Sequence, residues 1–395
     1  MTDESGLPTN SRTMGSHTPQ TGDNSHIPFS IALVGTRGIP AQYGGFETFA
    51  WELSRRLAAR GHDIRVYGRT KKFPWREEEP ISGVRRISAW TFFGKHLETP
   101  LASLSSFFHL LLHPAQVVIL CNAANSIFIP LSFISGTPVI VNVDGIERKR
   151  AKWGTLGKLW YRIGELASLL FGSRVIADAF CIADYYADEY GVAPTRIAYG
   201  ASAEQSQNDE VLKSYGLTPR EYLLYVSRME PENNALGVVK AYKASGATLP
   251  LVIVGDAPYA AEYKRSVQEA AAGSHVIFTG YQFGDSYRSL QSNCALYIQA
   301  TEVGGTHPAL IEAMAFGNAI VANGVPEHFE VLGGAGLYYP RNDFQRLGEI
   351  LAHLLTHPEK LDSMRKSAKA RAVELFNWES IADSYETQCR NLLKS

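Results

Sequence analysis

The segment QATEVGGTHPALIEAMAFGNAIVANG, residues 299–324, gathers the residue types that hold a phosphorylated ligand. An apolar run ends near Ala300, a loop carries Gly304, Gly305 and Thr306, and Pro308 opens a helical pattern that stops at Gly317. Proline suits a first helical turn because the amide it lacks has no partner there, and glycine lets main chain approach a ligand without a Cβ in the way. Exposed amides and the positive end of the helix dipole then form an anion site. Glu312 falls on the second turn, within reach of a ribose. An ordinary strand-loop-helix turn and a solvated glutamate are the competing interpretations, and the flanking Leu310, Ile311, Ala313 and Met314 argue against full exposure of Glu312.

A second candidate is Arg228, in VSRMEPENN at 226–234, where a guanidinium after a strand can fork onto phosphate oxygens. A third is GTRGIPAQYGGFETF at 35–49. Here Gly44 and Gly45, flanked by Tyr43 and Glu47, precede a helical pattern that starts near Phe46, so their amides can face a diphosphate. Glu47 either orients an acceptor hydroxyl or sits favourably at its helix N-terminus. The spacing of Gly35, Gly38, Gly44 and Gly45 departs from GxGxxG, which argues against a nicotinamide dehydrogenase.

These residues need elements to position them. SIALVG at 30–35, VVILCN at 117–122, PVIVNVDG at 138–145 and RVIADAFCIA at 174–183 are apolar runs of the kind buried on both faces of a parallel sheet, with DIRVYG at 63–68 between them. Helical spacing over Phe46, Phe49, Ala50, Leu53 and Leu57 gives the alternation of strand and helix that makes right-handed crossovers. The polar stretch ASAEQSQNDE at 201–210 interrupts it, and YLLYVS, PLVIVGD, HVIFTGY, CALYIQAT and NAIVANG restart it. The expectation is two doubly wound α/β domains, 28–205 and 206–375, with a ligand between them. Residues 1–27 are expected to be a disordered polar tail, and 376–395 a helix crossing back to the first domain.

At 395 residues the chain is long for one core, which favours two domains. A net charge of -1 gives no global attraction to a polyanion, and no recognition motif for nucleic acid accompanies the local cations. Cys121, Cys181, Cys294 and Cys389 are scattered without ligand spacing, as in a reduced cytosolic protein. No secretory signal and no run long enough to span a membrane is evident. ERKRAKWGTLGKLWYRIG at 147–164 interleaves cations with tryptophans, which fits an anionic membrane surface, a lipid diphosphate, or a solvated basic face.

The 299–324 segment resembles the donor-binding signature of the family 4 retaining glycosyltransferases, in which two glutamates bracket a glycine loop and EAMAxG follows. The resemblance implies the GT-B fold, two Rossmann-like domains facing an interdomain cleft. It assigns the nucleotide ribose to Glu312 and the transferred sugar to Glu302. Gly304 occupies the usual place of that first glutamate, and Glu302 stands two positions earlier in the chain. VSRMEPENN matches a family motif whose arginine and lysine neutralise the diphosphate leaving group. Arg228 matches the arginine, and Asn233 stands where the lysine is expected. GTRGIPAQYGGFETF and VNVDGIERKRAKW at 141–153 resemble a bacterial rhamnosyltransferase-like branch, so the resemblance runs from residue 29 to the terminus. Asp144 is then the polar residue nearest the sugar, with an Asp-Gly turn as its alternative role.

The resemblance implies transfer of a sugar, with L-rhamnose from dTDP-rhamnose as first guess, to a glycan or polyprenyl-diphosphate-linked acceptor with retention of configuration. That places the work in cell-surface polysaccharide synthesis, on the cytoplasmic side of a membrane. The donor loop has no DxD-like clamp, so no cofactor and no essential metal are expected. A nucleotide-sugar epimerase of the same fold and a catalytically silent partner subunit are the alternatives.

Overall fold

The computed structural model describes residues 27–394 apart from 41–44, 73, 93–97, 150–153, 203, 205, 207–209, 259 and 303. The expected tail therefore lies outside the described residues save for Ile27, as do Tyr43 and Gly44.

The first sheet is built from β1 (Ser30–Val34), β2 (Asp63–Thr70), β3 (Glu77–Ile81), β4 (Val84–Trp90), β5 (Val117–Cys121), β6 (Val139–Val143), β7 (Arg174–Ala177) and β8 (Thr195–Arg196). Their spatial order is β3-β4-β2-β1-β5-β6-β7-β8, parallel except for the β3–β4 hairpin. Successive side chains of a strand face opposite sides, so Ile31 and Leu33 join Phe49 and Leu53 of α1 (Gly45–Ala59) in one core. Ala32 and Val34 join Phe107 and Leu110 of α2 (Glu98–Leu112) and Ile129 of a 3-10 segment, Ala123–Phe133, in another. Burial on both faces is why β1, β5 and β6 lack polar alternation.

Two expectations change here. The β3–β4 hairpin was not anticipated, because EEEPI offers little apolar signal. Its turn has Ser82 and Gly83 at φ 50° and 77°, which matches the right-handed twist of a tight hairpin, and its charged edge discourages pairing with another chain. The run RVIADAFCIA is not one strand: β7 ends at Ala177 and α4 (Phe180–Tyr190) begins three residues later. Short apolar runs suit either element, and Ile182 buries its side chain in the core from the helix.

The second sheet contains β9 (Leu223–Val226), β10 (Leu251–Val254), β11 (Val276–Gly280), β12 (Leu296–Gln299), β13 (Ala319–Asn323) and β14 (Leu337–Tyr339). All pair in parallel, in the order β11-β10-β9-β12-β13-β14. Each sheet reverses its winding once, between β1 and β5 and between β9 and β12. Crevices at such switch points are where doubly wound sheets bind ligands, and the loops carrying Gly35, Arg228 and Glu302 leave them there.

The chain crosses between the sheets twice, and the crossings run side by side: the Ala201 amide donates to the Phe376 carbonyl at 2.9 Å, and Ala201 bridges to Asn377. The last helix, α13 (Trp378–Lys394), then lies along α1 of the first domain. Tyr385 packs its ring 5.1 Å from Phe49, and its hydroxyl accepts from Asn142 Nδ2 of β6 at 2.7 Å. Around this buried contact Arg60 pairs with Glu379, Asp383 and Glu386 at 3.0, 2.7 and 2.9 Å. Among the described residues no helix is long and apolar enough to cross a membrane.

The Tyr385 contact is testable. Tyr385→Phe keeps the ring and strands the Asn142 amide, so denaturant unfolding should show a loss of about 1–3 kcal/mol.

Candidate active site

The loop that leaves β12 is held by a set of side-chain amides, of which Gln299 and Asn323 are buried. Gln299 Nε2 donates to Thr301 Oγ1 at 3.2 Å and meets His328 Nε2 at 3.3 Å. Burial pushes the His328 imidazole down to about 4, so the ring is neutral; Nδ1 lies 2.8 Å from the Asn323 carbonyl and donates to it, which leaves Nε2 to accept. Further along the strand ends, Asn234 Nδ2 donates to the Ala300 carbonyl, to Asn342 Oδ1 and to Glu302 Oε1 at 2.9, 3.0 and 3.2 Å. Asn323 Nδ2 reaches the same Asn342 oxygen at 2.8 Å, and the Asn342 amide returns to Asn323 Oδ1 at 2.9 Å. Asn234 and Asn342 both have positive φ, a conformation asparagine tolerates better than most residues. Three asparagines thus tie together the loops that follow β9, β12, β13 and β14.

Glu302 belongs to this network. Its second oxygen lies 3.6 Å from Arg341 Nη2, and its amide donates to the Glu232 carbonyl at 3.0 Å. Its partners therefore come from neighbouring loops of its own domain. Asn233, expected at the diphosphate, is buried, donating from Nδ2 to the Arg228 carbonyl at 2.7 Å while its own carbonyl accepts from Tyr225 Oη at 2.5 Å. It shapes the loop that presents Arg228, whose guanidinium is partly exposed and 3.4 Å from Glu230.

The glycine loop meets the first domain. The sequence suggests that Gly305 and Thr306 turn their amides to a ligand; the structure presses them against the first domain. A Cβ on Gly305 would stand 2.6 Å from the Asp144 carbonyl and 2.8 Å from Asp178 Oδ1, so only glycine allows this approach. The Thr306 amide donates to Asp178 Oδ2 at 3.1 Å, and its hydroxyl donates to the Asp178 carbonyl at 2.6 Å. Burial, with Asp144 close by, holds the Asp178 carboxyl well above its ordinary range. Gly304 faces the ring of His307. A second fastening lies alongside, where Glu330 of α10 (Pro326–Leu332) accepts the Phe180 amide at the start of α4 at 2.8 Å and pairs with Arg196 at 3.1 Å.

The same approach brings two helix ends close together. Gly45, the first residue of α1, has an ideal Cβ position only 3.2 Å from Pro308 Cγ, the first residue of α9 (Pro308–Ala315). Two positive dipole ends facing each other repel unless an anion lies between or beside them. Glu47 is not spare charge for the purpose: it is buried, accepts from the Arg37 amide at 3.0 Å, and is raised above its ordinary range by that burial. Its place is to hold the 35–38 loop, where Gly35, at φ 96°, lets the backbone come within 2.3 Å (Cβ position to oxygen) of the Cys121 carbonyl.

Glu312 lies one turn into α9. Tyr287 of α8 (Gly284–Asn293) donates to its Oε2 at 2.5 Å and in turn accepts from Gln291 Nε2 at 2.9 Å. Burial pushes this carboxyl up to about 7.

Against this geometry the comparisons with known proteins are decisive for the family. Residues 43–199 match Glycosyltransferase Family 4, and residues 207–371 match Glycosyl transferases group 1, together spanning both domains. The chain belongs to the family 4 glycosyltransferases. It is 28% identical over 178 residues to the O-antigen chain mannosyltransferase B of Escherichia coli, covering 43% of this chain and 46% of that one. It is also 28% identical over 185 residues to the lipopolysaccharide 1,2-N-acetylglucosaminetransferase of Salmonella typhimurium, covering 43% and 48%. The matches span about half the length of these relatives. The fold is that of sucrose-phosphate synthase from Thermosynechococcus elongatus, with a TM-score of 0.78 at 20% identity over 93% of this chain and 99% of that one. The Anabaena protein HepE, solved in complex with UDP-glucose, gives 0.72 at 15% identity over 93% and 99%. Both expectations about architecture, two Rossmann-like domains and the GT-B arrangement, hold.

Sequence reasoning missed Asp178, Tyr287 and the asparagines Asn234, Asn323 and Asn342. Asp178 carried a usable signal, a lone carboxylate ending the apolar run RVIA; the others carried none, since their partners are distant in sequence.

The resemblance gives Glu312 a ribose to hold, and that role predicts a pH dependence. A carboxylate accepts two ribose hydroxyls, while the protonated form loses part of that capacity. Because the native group is raised to about 7, nucleotide affinity should weaken as pH falls through that value, and Glu312→Gln should remove the dependence in calorimetric titrations. Ligand-free stability should run the opposite way, declining as pH rises from about 4.5 to about 7, where the unfolded chain has already released the proton.

Proposed function

We propose that this chain moves a sugar from a nucleotide diphosphate donor to a hydroxyl of a glycan or a polyprenyl-diphosphate-linked acceptor, in cell-surface polysaccharide synthesis. The observation that carries the proposal is the meeting of the α1 and α9 N-termini across the interdomain cleft, with Glu312 one turn away. Two converging positive ends suit a diphosphate, and a carboxylate at that distance suits the attached ribose. Arg228 follows the strand that pairs with β12, and of the two cations expected from the motif resemblance it is the one this sequence keeps.

In this proposal the acceptor hydroxyl attacks the anomeric carbon from the face the diphosphate is leaving, so configuration is retained. The bond from carbon to phosphate oxygen breaks as the bond to the acceptor oxygen forms, and the leaving phosphate takes the acceptor's proton. Arg228 and the helix termini stabilise the negative charge that grows on the leaving group. Asp144 lies where the glycine loop meets the first domain, so its contact with the sugar is proposed from that position. Glu302 is proposed to approach the sugar from the asparagine network.

dTDP-rhamnose is the first donor to test, on the resemblance of the first domain. Mannose and N-acetylglucosamine donors come next, because they are named in the relatives' activities. The acceptor is placed on the cytoplasmic side of a membrane.

A thermal-shift screen over these donors is the direct test, since a ligand at 100 times its dissociation constant adds about 2.7 kcal/mol. A donor that stabilises the chain should then be consumed only when an acceptor is added, and Arg228→Ala should lower turnover at least about tenfold. Absence of any shift removes the donor site; conversion of donor without acceptor points to an epimerase instead.

A further inference from the structure

The helix α3 (Thr155–Phe171) has two faces of unlike character. Its inner face is small: Gly164, Ala167 and Ser168 are buried, and a Cβ on Gly164 would stand 2.6 Å from the Ala123 carbonyl of the 3-10 segment. Its outer face carries Leu156, Leu159, Ile163, Leu166 and Leu170, all exposed, with Leu156 and Leu170 at 84% and 74%. Spacings of three and four residues put these five in one stripe along the helix.

The apolar surface continues beyond α3. Phe133 and Ile134, at the end of the 3-10 segment, are exposed, and the Phe133 ring lies 6.0 Å from Phe171. On the other side of that segment α2 exposes Phe108 and Leu112. Monomeric proteins seldom expose a contiguous face of this kind unless something covers it.

The charge beside the stripe selects the occupant. Lys158, Arg162 and Arg174 are exposed, and α3 has one carboxylate, Glu165, which is buried and accepts from Tyr185 Oη at 2.9 Å. The 3-10 segment has no charged residue, and the only carboxylate of α2, Glu98, lies at its opposite end. Arg162 does share Glu189 with Arg148, both at 2.9 Å, which leaves Lys158 and Arg174 as the cations flanking the leucines. A second copy would meet this face with the same cations and no α3 carboxylate to offset them. An anionic bilayer offers both an apolar interior for the leucines and a negative surface for the cations.

We infer that the outer face of α3, with the exposed ends of α2 and the 3-10 segment, docks the chain in plane on an anionic lipid bilayer. The surface is displaced from the one suggested by the basic run 147–164: Arg148 is turned inward to Glu165 and Glu189, and the docking stripe runs from Leu156 to Leu170. The inference rests on the proposed membrane-side acceptor for its biological sense alone. A chain that binds donor but not vesicles sinks the docking surface and leaves the transferase proposal intact.

The test is co-sedimentation of the full chain with vesicles of phosphatidylcholine alone and of equimolar phosphatidylcholine and phosphatidylglycerol. The wild type should pellet with the anionic vesicles and less with the neutral ones. The combined variant Leu159→Ser, Ile163→Ser and Leu170→Ser should lose at least about tenfold in partitioning, and Lys158→Glu with Arg174→Glu should lose the preference for phosphatidylglycerol. Both variants change exposed positions and should keep the wild-type thermal shift with donor, which controls for folding. No pelleting of the wild type, undiminished pelleting of the triple serine variant, or equal pelleting on both vesicles overturns the inference. A wild-type dimer that the serine variant converts to monomer, without vesicle binding, assigns the face to a second copy and overturns it too.

Discussion

The approach of the glycine loop to the first domain is the contact on which the rest of the site depends. Gly305 has no Cβ, so the Asp144 carbonyl and the Asp178 carboxyl can come to its backbone, and Thr306 then closes two hydrogen bonds onto Asp178. That short distance sets the separation of the two domains at the cleft. It also brings Gly45 and Pro308 together, so that the first turns of α1 and α9, one from each domain, meet. Any bulkier residue at position 305 would hold the domains apart by the width of a side chain and take the converging helix ends out of register.

The arrangement places like partial charges together and buries a carboxyl at Asp178, both of which cost free energy. The cost is offset by fastenings away from the cleft. Glu330 joins the start of α4 to α10, Ala201 and Asn377 bind the two crossings to each other, and α13 returns to lie on α1 with Tyr385 hydrogen bonded to Asn142. Within the second domain the asparagine network holds four loops in one conformation, so the groups facing the cleft do not have to be ordered when a ligand arrives. This is pre-organisation of the kind that lets modest charges act strongly.

The relation between Glu312 and Tyr287 is a smaller example of the same economy. The hydroxyl of Tyr287 satisfies one oxygen of a carboxyl that burial has raised to about 7, which keeps the group oriented without fully committing its acceptors. The outer layer of the first domain differs in kind. Its inward face is small and tightly packed, its outward face is leucine-rich, and the two are separated only by which side of one helix a residue occupies.

The sequence by itself determined the alternation of strand and helix, the two-domain architecture, the glycine loop before Pro308 and the candidacy of Arg228 and Glu312, because apolar period and local turn chemistry are properties of neighbouring residues. It also named Asp144, Gly305 and Thr306 as site residues without showing that the last two serve the contact between domains. It left open whether Glu47 faces an acceptor or its own helix end, and it put a diphosphate contact at Asn233. What these side chains touch was decided only by the tertiary structure. The partner of Thr306 is 128 residues away, the role of Glu47 depends on a loop folding back over it, and Asn233 is committed to the backbone of Arg228. Hydrogen bonds between distant segments leave no period in the sequence, so their existence waits on the packing of one sheet against the other.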